Sequence, residues 1–204
     1  MSTSTEKARP PLIDFRKAFN VPNQLTTIRL LLGVVLFCLI GFDYYLPAMY
    51  VFIVAAGTDW VDGFYARRYN QVTTLGRILD PFADKIIICG TFIFLAALSA
   101  DSKITSAMAV IVVGRELLVT VLRSFLEQHG SDFSAKMSGK LKMVLQCVAC
   151  AVSLFALSYL RASPPVAPPA WVPPTLLIAV WSAVVLTVIS GIVYVFAAIK
   201  LLRQ

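Results

Sequence analysis

The chain has 204 residues, 58% of them hydrophobic and only 14% charged, with a formal net charge of +7 and a mean hydropathy of +0.79. An average soluble domain is about 25% charged, so this chain has too few polar residues to clothe a water-facing surface. That excludes a soluble globular fold and leaves an integral membrane protein, all-α by the spans described below.

Residues 1–19 are polar and carry Glu6 and Asp14. Those acids argue against a mitochondrial transit peptide, and no short apolar core with a small-residue cleavage site follows. The stretch "PPLIDFRKAFN" alternates apolar and basic groups. It predicts a short amphipathic helix lying at the membrane surface, with a disordered basic arm as the alternative. Residues 1–19 are therefore expected to form a cytoplasmic arm, and residues 20–204 a single domain.

A helical crossing needs roughly 20 mostly apolar residues. Six stretches qualify, at about 24–42, 46–69, 81–100, 104–128, 139–160 and 174–199. The prediction is one bundle of six transmembrane helices behind the juxtamembrane surface helix. Cys38, Cys89, Cys147 and Cys150 all fall inside these stretches. The Cys147–Cys150 pair lacks the βαβ context of a redox motif, so small apolar core filler is the expected role.

The connections after spans 1, 3 and 5 read "GFDYYLP", "SADSKIT" and "RASPPVAPPAWVPP". The last holds six prolines, which deny it helix and favour a stiff, extended crossing. Trp171 is placed to mark the membrane interface. With the N-terminus inside, Lys7, Arg9, Arg16, Lys17, Arg67, Arg68, Arg77, Lys136, Lys140, Lys200 and Arg203 all flank the cytoplasmic side. The outer connections keep only Lys103 and Arg161. This asymmetry predicts a multi-pass protein with both termini in the cytoplasm. The basic excess is thereby topological and directed at membrane lipids, and no nucleic-acid partner is expected.

Between two apolar runs lies "DWVDGFYARRYNQVTTLGRILDPFADK", with Asp59, Asp62, Asp80 and Asp84 inside 26 residues. Asp59 stands about ten residues before the cytoplasmic end of its span, roughly 15 Å deep, where an Asp costs at least ~2.5 kcal/mol. Asp59 and Asp62 are spaced i, i+3 and Asp80 and Asp84 i, i+4, so each pair shares one helix face. Pro81 suits a first helical position and Asp80 an N-cap, and a tight return brings the two faces together. Four close carboxylates cannot all stay ionised unaided. Either two are protonated, or divalent cations join them. Without His or Cys such a site selects a hard ion, Mg²⁺ first and then Mn²⁺ or Ca²⁺, and Mg²⁺ usually shares its shell with a substrate phosphate. Gly63 and Ala66 leave a groove free of side chains, Gly76 opens the turn into span 3, and Arg67 has the fork that grips phosphate. The plainer readings are a helix-packing notch and a snorkelling arginine.

The pattern Asp59-x2-Asp62-Gly63-x2-Ala66-Arg67-x8-Gly76-x3-Asp80-x3-Asp84 resembles, position for position, the signature of the CDP-alcohol phosphotransferase family. The six-span topology agrees, so the resemblance extends over nearly the whole chain. It implies an active site open to the cytoplasm, two metal ions (Mg²⁺, with Mn²⁺ as the alternative), and a homodimer. The reaction implied is transfer of a substituted phosphoryl group from a CDP-linked donor to an alcohol, releasing CMP. By position, Asp59, Asp62 and Asp80 would hold the metals, and Asp84 would be the general base, also within reach of the second ion. Asp62, Gly63, Ala66, Arg67 and Gly76 would seat the CDP moiety.

Arg115 and Glu116 stand mid-span in "VVGRELLVTVLRSFLEQHG", with Arg123 two turns on. "SAKMSGKLKMVLQ" places Lys136, Lys140 and Lys142 at the start of span 5, and Gln146 one turn deeper. Arg115, Arg123, Lys136 and Lys140 are the candidates for binding an acceptor's phosphate. Ordinary positive-inside flanking is the plain reading of Lys142, and an ion pair with Glu116 is the structural alternative for Arg115. His129 reads as a helix C-terminal residue. "VPNQLTTIR", "LDPFADK", "GRELLVTVLR" and "GKLKMVLQ" are similar to the bacterial branch of the family that joins CDP-diacylglycerol to glycerol 3-phosphate. Met143 stands where that branch usually has Thr. The branch implies the inner (cytoplasmic) membrane as location. Other acceptors (inositol phosphate or phosphatidylglycerol) keep the same chemistry, and a cation or proton transporter is the rival from another class.

Overall fold

The computed structural model describes residues 21–69, 74–128 and 137–202. The surface helix expected in the arm, the return through 70–73, His129 and Lys136 lie outside the described residues. Among the described residues there is no strand. Six long helices run α1 (Val21–Gly41), α2 (Tyr45–Tyr69), α3 (Thr74–Ala97), α5 (Ser106–Gln128), α6 (Met137–Leu160) and α7 (Val172–Leu202), with one short helix, α4 (Ser99–Ser102).

Five of the six long helices coincide with expected spans to within three residues at each end. The exception is the start of α3. It begins at Thr74, so Pro81 is not its first residue and Asp80 is not its N-cap. Leu75, Ile78 and Leu79 are compatible with helix, and Pro81 forgoes the bond its missing N–H would make to the carbonyl of Arg77. Gly76, expected to open the turn into this helix, lies within its first turn. At the other end of the bundle, Pro173 and Pro174 occupy the first turn of α7, where an absent N–H is no loss. The segment 161–171 is free of helix, as its prolines require.

Helix α1 packs on α2 and α3, α6 on α2, α3 and α7, and α5 on α3 and α7. The core where they meet includes Leu36, Phe52, Phe92, Leu95, Leu154 and Val180, each 0–1% exposed. Cys150 is buried in this core and Cys147 packs against the core, as expected of filler, whereas Cys38 is exposed and no filler; all four cysteines are free. At Gly90 the α1–α3 contact is so close that a Cβ would lie 2.3 Å from the ring of Phe37. That ring stacks on Phe94 with centroids 5.3 Å apart.

The outer surface of the bundle is apolar. Leu31, Val34, Val110, Val121, Ile178 and Phe196 are each at least 60% exposed, a distribution that water would penalise and lipid would not. Leu141–Leu160 and Val172–Ile199 are long and apolar enough to cross a membrane, with mean hydropathies of 2.0 and 2.5. Thr26–Gly41, Tyr45–Thr58 and Lys85–Ala97 are shorter apolar helices.

At one end of the bundle the connections between helices touch. Arg161 Nε, after α6, donates to Asp101 of α4 at 2.9 Å. Tyr45, opening α2, donates its hydroxyl proton to Asp43 in the α1–α2 connection. Trp171 stacks on Phe155 at 5.7 Å.

Candidate active site

All eight positions of the acidic signature are helical. Asp59, Asp62, Gly63, Ala66 and Arg67 lie on α2 at i, i+3, i+4, i+7 and i+8, the spacing of a single helical stripe. Gly76, Asp80 and Asp84 lie on α3 at intervals of four, a second stripe. The two helices pack against each other. The earlier start of α3 is what brings Gly76 onto the same stripe as the two aspartates. The side chains of these eight residues, and that of Lys140, lie outside the described residues.

The donor set fits a hard dication: four carboxylates on two packed helices, from a stretch of sequence, 59–85, that holds no His or Cys. Among the described residues no group of three or more His, Cys, Asp or Glu side chains could hold a metal.

A second polar group sits between α5, α6 and α7. Arg115, Lys142, Gln146, Thr187 and Ser190 are all buried, at 9%, 5%, 1%, 0% and 0% exposure. Glu116 is flanked by two cations, forming an ion pair with Lys142 and accepting from Arg115 Nη1 at 3.4 Å. Arg115 Nη2 donates to Ser190 Oγ at 2.8 Å, and its guanidinium carbon lies 5.4 Å from the centre of the Tyr194 ring. Gln146 Nε2 donates to Thr187 Oγ1 at 2.9 Å. Burying unpaired charge costs several kcal/mol, which is why every charged member here has found a partner across a helix interface.

Lys142 is thus not a flanking residue at the membrane surface. It lies inside the bundle because Glu116, on a neighbouring helix, supplies its counter-charge. Arg115 does contact Glu116, as its structural alternative required, yet that contact does not exhaust it. The Nε–H groups of Arg115 and Arg123 are buried and make no hydrogen bond. Among the described residues Arg115, Arg123 and Lys142 are three cations beside one acid, Glu116, and the two arginines keep spare donors, a combination suited to an anion.

Sequence reasoning placed α7 but missed the polar residues it brings to this group. Thr187, Ser190 and Tyr194 stand in an otherwise apolar helix, and such polar residues in a membrane helix tend to bond across to a neighbour. That was the available signal.

An all-helical chain with a lipid-compatible surface, charge held inside the bundle and an acidic stripe on two packed helices is a membrane protein built around buried ionic chemistry. The chain belongs to the CDP-alcohol phosphatidyltransferase family, whose model matches residues 19–196, and it is accordingly a transferase. Among its relatives is the CDP-diacylglycerol--glycerol-3-phosphate 3-phosphatidyltransferase of Bacillus subtilis (strain 168). The two are 35% identical over 189 residues, covering 85% of this chain and 92% of that protein. The proteins of the same name from Escherichia coli (strain K12) and Shigella boydii serotype 4 (strain Sb227) are each 37% identical over 142 residues, covering 65% of this chain and 75% of theirs.

Proposed function

We propose that this chain transfers the phosphatidyl group of CDP-diacylglycerol to sn-glycerol 3-phosphate, giving phosphatidylglycerophosphate and CMP. The observation that carries this reading is the complete acidic signature on two packed helices, in a chain whose relatives bear that activity in their names. In this reading residues 20–204 form one bundle of six transmembrane helices in the inner membrane, with the 1–19 arm and both termini in the cytoplasm. The meeting of the connections around Arg161, Asp101, Asp43 and Tyr45 at one end supports that topology.

Asp59, Asp62 and Asp80, together with Asp84, would hold two Mg²⁺ ions, for which Mn²⁺ is the natural substitute. When bound, the metal neutralises charge on the diphosphate. Asp62, Gly63, Ala66, Arg67 and Gly76 seat the CDP moiety. Asp84 takes the proton of the acceptor hydroxyl. The freed oxygen forms a bond to the phosphorus that carries diacylglycerol, the bond from that phosphorus to CMP breaks, and CMP leaves. Such proton transfer contributes about 10²–10⁴-fold.

Arg115, Arg123, Lys136 and Lys140 bind the terminal phosphate of the acceptor. The buried, unbonded Nε–H groups of the two arginines support this part. A homodimer belongs to the same reading. A groove of about 520 Å³ between α3 and α5, lined by small residues including Ala96, Ala97, Ala109 and Gly114, supports it.

The test is CMP release by the purified chain in detergent, with CDP-diacylglycerol and separate glycerol 3-phosphate, inositol phosphate and phosphatidylglycerol. Release with glycerol 3-phosphate alone is the expected result. Release driven by another acceptor, with none from glycerol 3-phosphate, would replace the acceptor and keep the chemistry.

A further inference from the structure

We infer that α7, which carries none of the acidic signature, sets the acceptor affinity by positioning Arg115 through Ser190 and Gly191. The inference rests on the reading of Arg115 as a ligand for the acceptor's phosphate.

Three contacts determine where the guanidinium sits. The Ser190 hydroxyl donates its one proton to the carbonyl of Thr187 at 3.1 Å. Its lone pairs are thereby turned toward Arg115, whose Nη2 donates to it at 2.8 Å. The Tyr194 ring, one helical turn further along α7, faces the guanidinium at 5.4 Å, within the range of a cation–π contact. Between them Gly191 makes room for the arginine stem, since a Cβ there would stand 3.0 Å from Arg115 Cγ. On the opposite side Glu116 accepts from Nη1 at 3.4 Å.

The consequence concerns the edge left over. With Nη1 directed to Glu116 and Nη2 to Ser190, the buried Nε–H is the position without a hydrogen bond. A guanidinium held on both terminal nitrogens and against a ring cannot rotate to offer a different edge. Ser190 and Gly191 therefore act on the acceptor through Arg115, as positioning residues that never touch it. Such pre-organisation lowers the ordering cost when the phosphate arrives. It leaves the donor site on α2 and α3 unaffected.

The test is steady-state kinetics of CMP release by purified Ser190→Ala, Ser190→Thr, Gly191→Ala, Arg115→Ala and the Arg115→Ala/Ser190→Ala pair. KM is measured separately for glycerol 3-phosphate and CDP-diacylglycerol. Ser190→Ala and Gly191→Ala are expected to raise the acceptor KM about tenfold, the scale of one hydrogen bond to a charged group. The donor KM and kcat should stay within about twofold. Ser190→Thr, which keeps the hydroxyl, should restore the acceptor KM, and Ser190→Ala should add nothing in the Arg115→Ala background. A raised acceptor KM in Arg115→Ala, beside unchanged values in Ser190→Ala and Gly191→Ala, would overturn this inference alone. So would a Ser190→Ala effect that persists without Arg115 or falls equally on both substrates. An unchanged acceptor KM in Arg115→Ala would overturn the acceptor reading and this inference with it.

Discussion

Glu116 and Lys142 show how a charge survives in this bundle. Lys142 is buried and Glu116 partly so, each is paired with the other, and Arg115 leans on the same carboxylate. Removing Lys142 breaks the pair and leaves Glu116 with Arg115 alone, at a cost of up to about 3–5 kcal/mol, whereas removing both is less damaging. Lys142→Met should therefore lower the unfolding temperature in detergent by several degrees, and Lys142→Met with Glu116→Gln should recover part of that loss. Equal destabilisation in the single and double variants would contradict the pairing. The burial of Lys142 was not legible locally, because its partner stands 26 positions away on another helix. At its own position it looks like any basic residue opening a span. The acidic motif was legible, since its spacing alone places four aspartates on two stripes. For Asp84, the proposed base, Asp84→Asn should cut kcat by about 10²–10⁴-fold while CDP binding in the presence of Mg²⁺ persists in equilibrium titration. Full turnover in that variant would remove Asp84 from the role.

At the scale of the element, α3 is the most informative helix. Its start was misjudged because Pro81 reads as a beginning, whereas here the proline lies in the eighth position of a continuous helix. Proline is tolerated inside membrane helices when its surroundings satisfy the freed carbonyl. The longer helix changes the chemistry on offer, since it aligns Gly76 with Asp80 and Asp84. Further along, Gly90 lets α1 approach through Phe37, which is itself held by the stack on Phe94. Gly90→Ala should destabilise the bundle by about 1–3 kcal/mol, the usual result of overpacking, read as a lower midpoint in thermal unfolding. Phe37→Leu in the same chain should restore part of it. An unchanged midpoint in Gly90→Ala would mean that the two helices can separate freely at this point.

Taken whole, the molecule segregates two kinds of polar chemistry inside an apolar exterior. The acids of the signature lie on α2 and α3, and Arg115, Arg123 and Lys142 on α5 and α6 with α7 behind them. Hydropathy makes the helices readable, because each apolar run is long and each break is marked by charge, proline or glycine. The contacts between α5, α6 and α7 were not readable, because they join residues tens of positions apart and use hydroxyls that carry no charge to announce them. In the proposed reaction, which must bring an anionic acceptor to an anionic donor, the first group would serve the diphosphate and its metals and the second the acceptor's phosphate. Its central requirement is that the acids work with dications. The most direct measurement is CMP release from CDP-diacylglycerol and sn-glycerol 3-phosphate by the purified chain, before and after chelation by EDTA and again after Mg²⁺ is restored. Release should vanish with the chelator and return with Mg²⁺. Release that continues undiminished in EDTA would contradict the metal-dependent mechanism at its root.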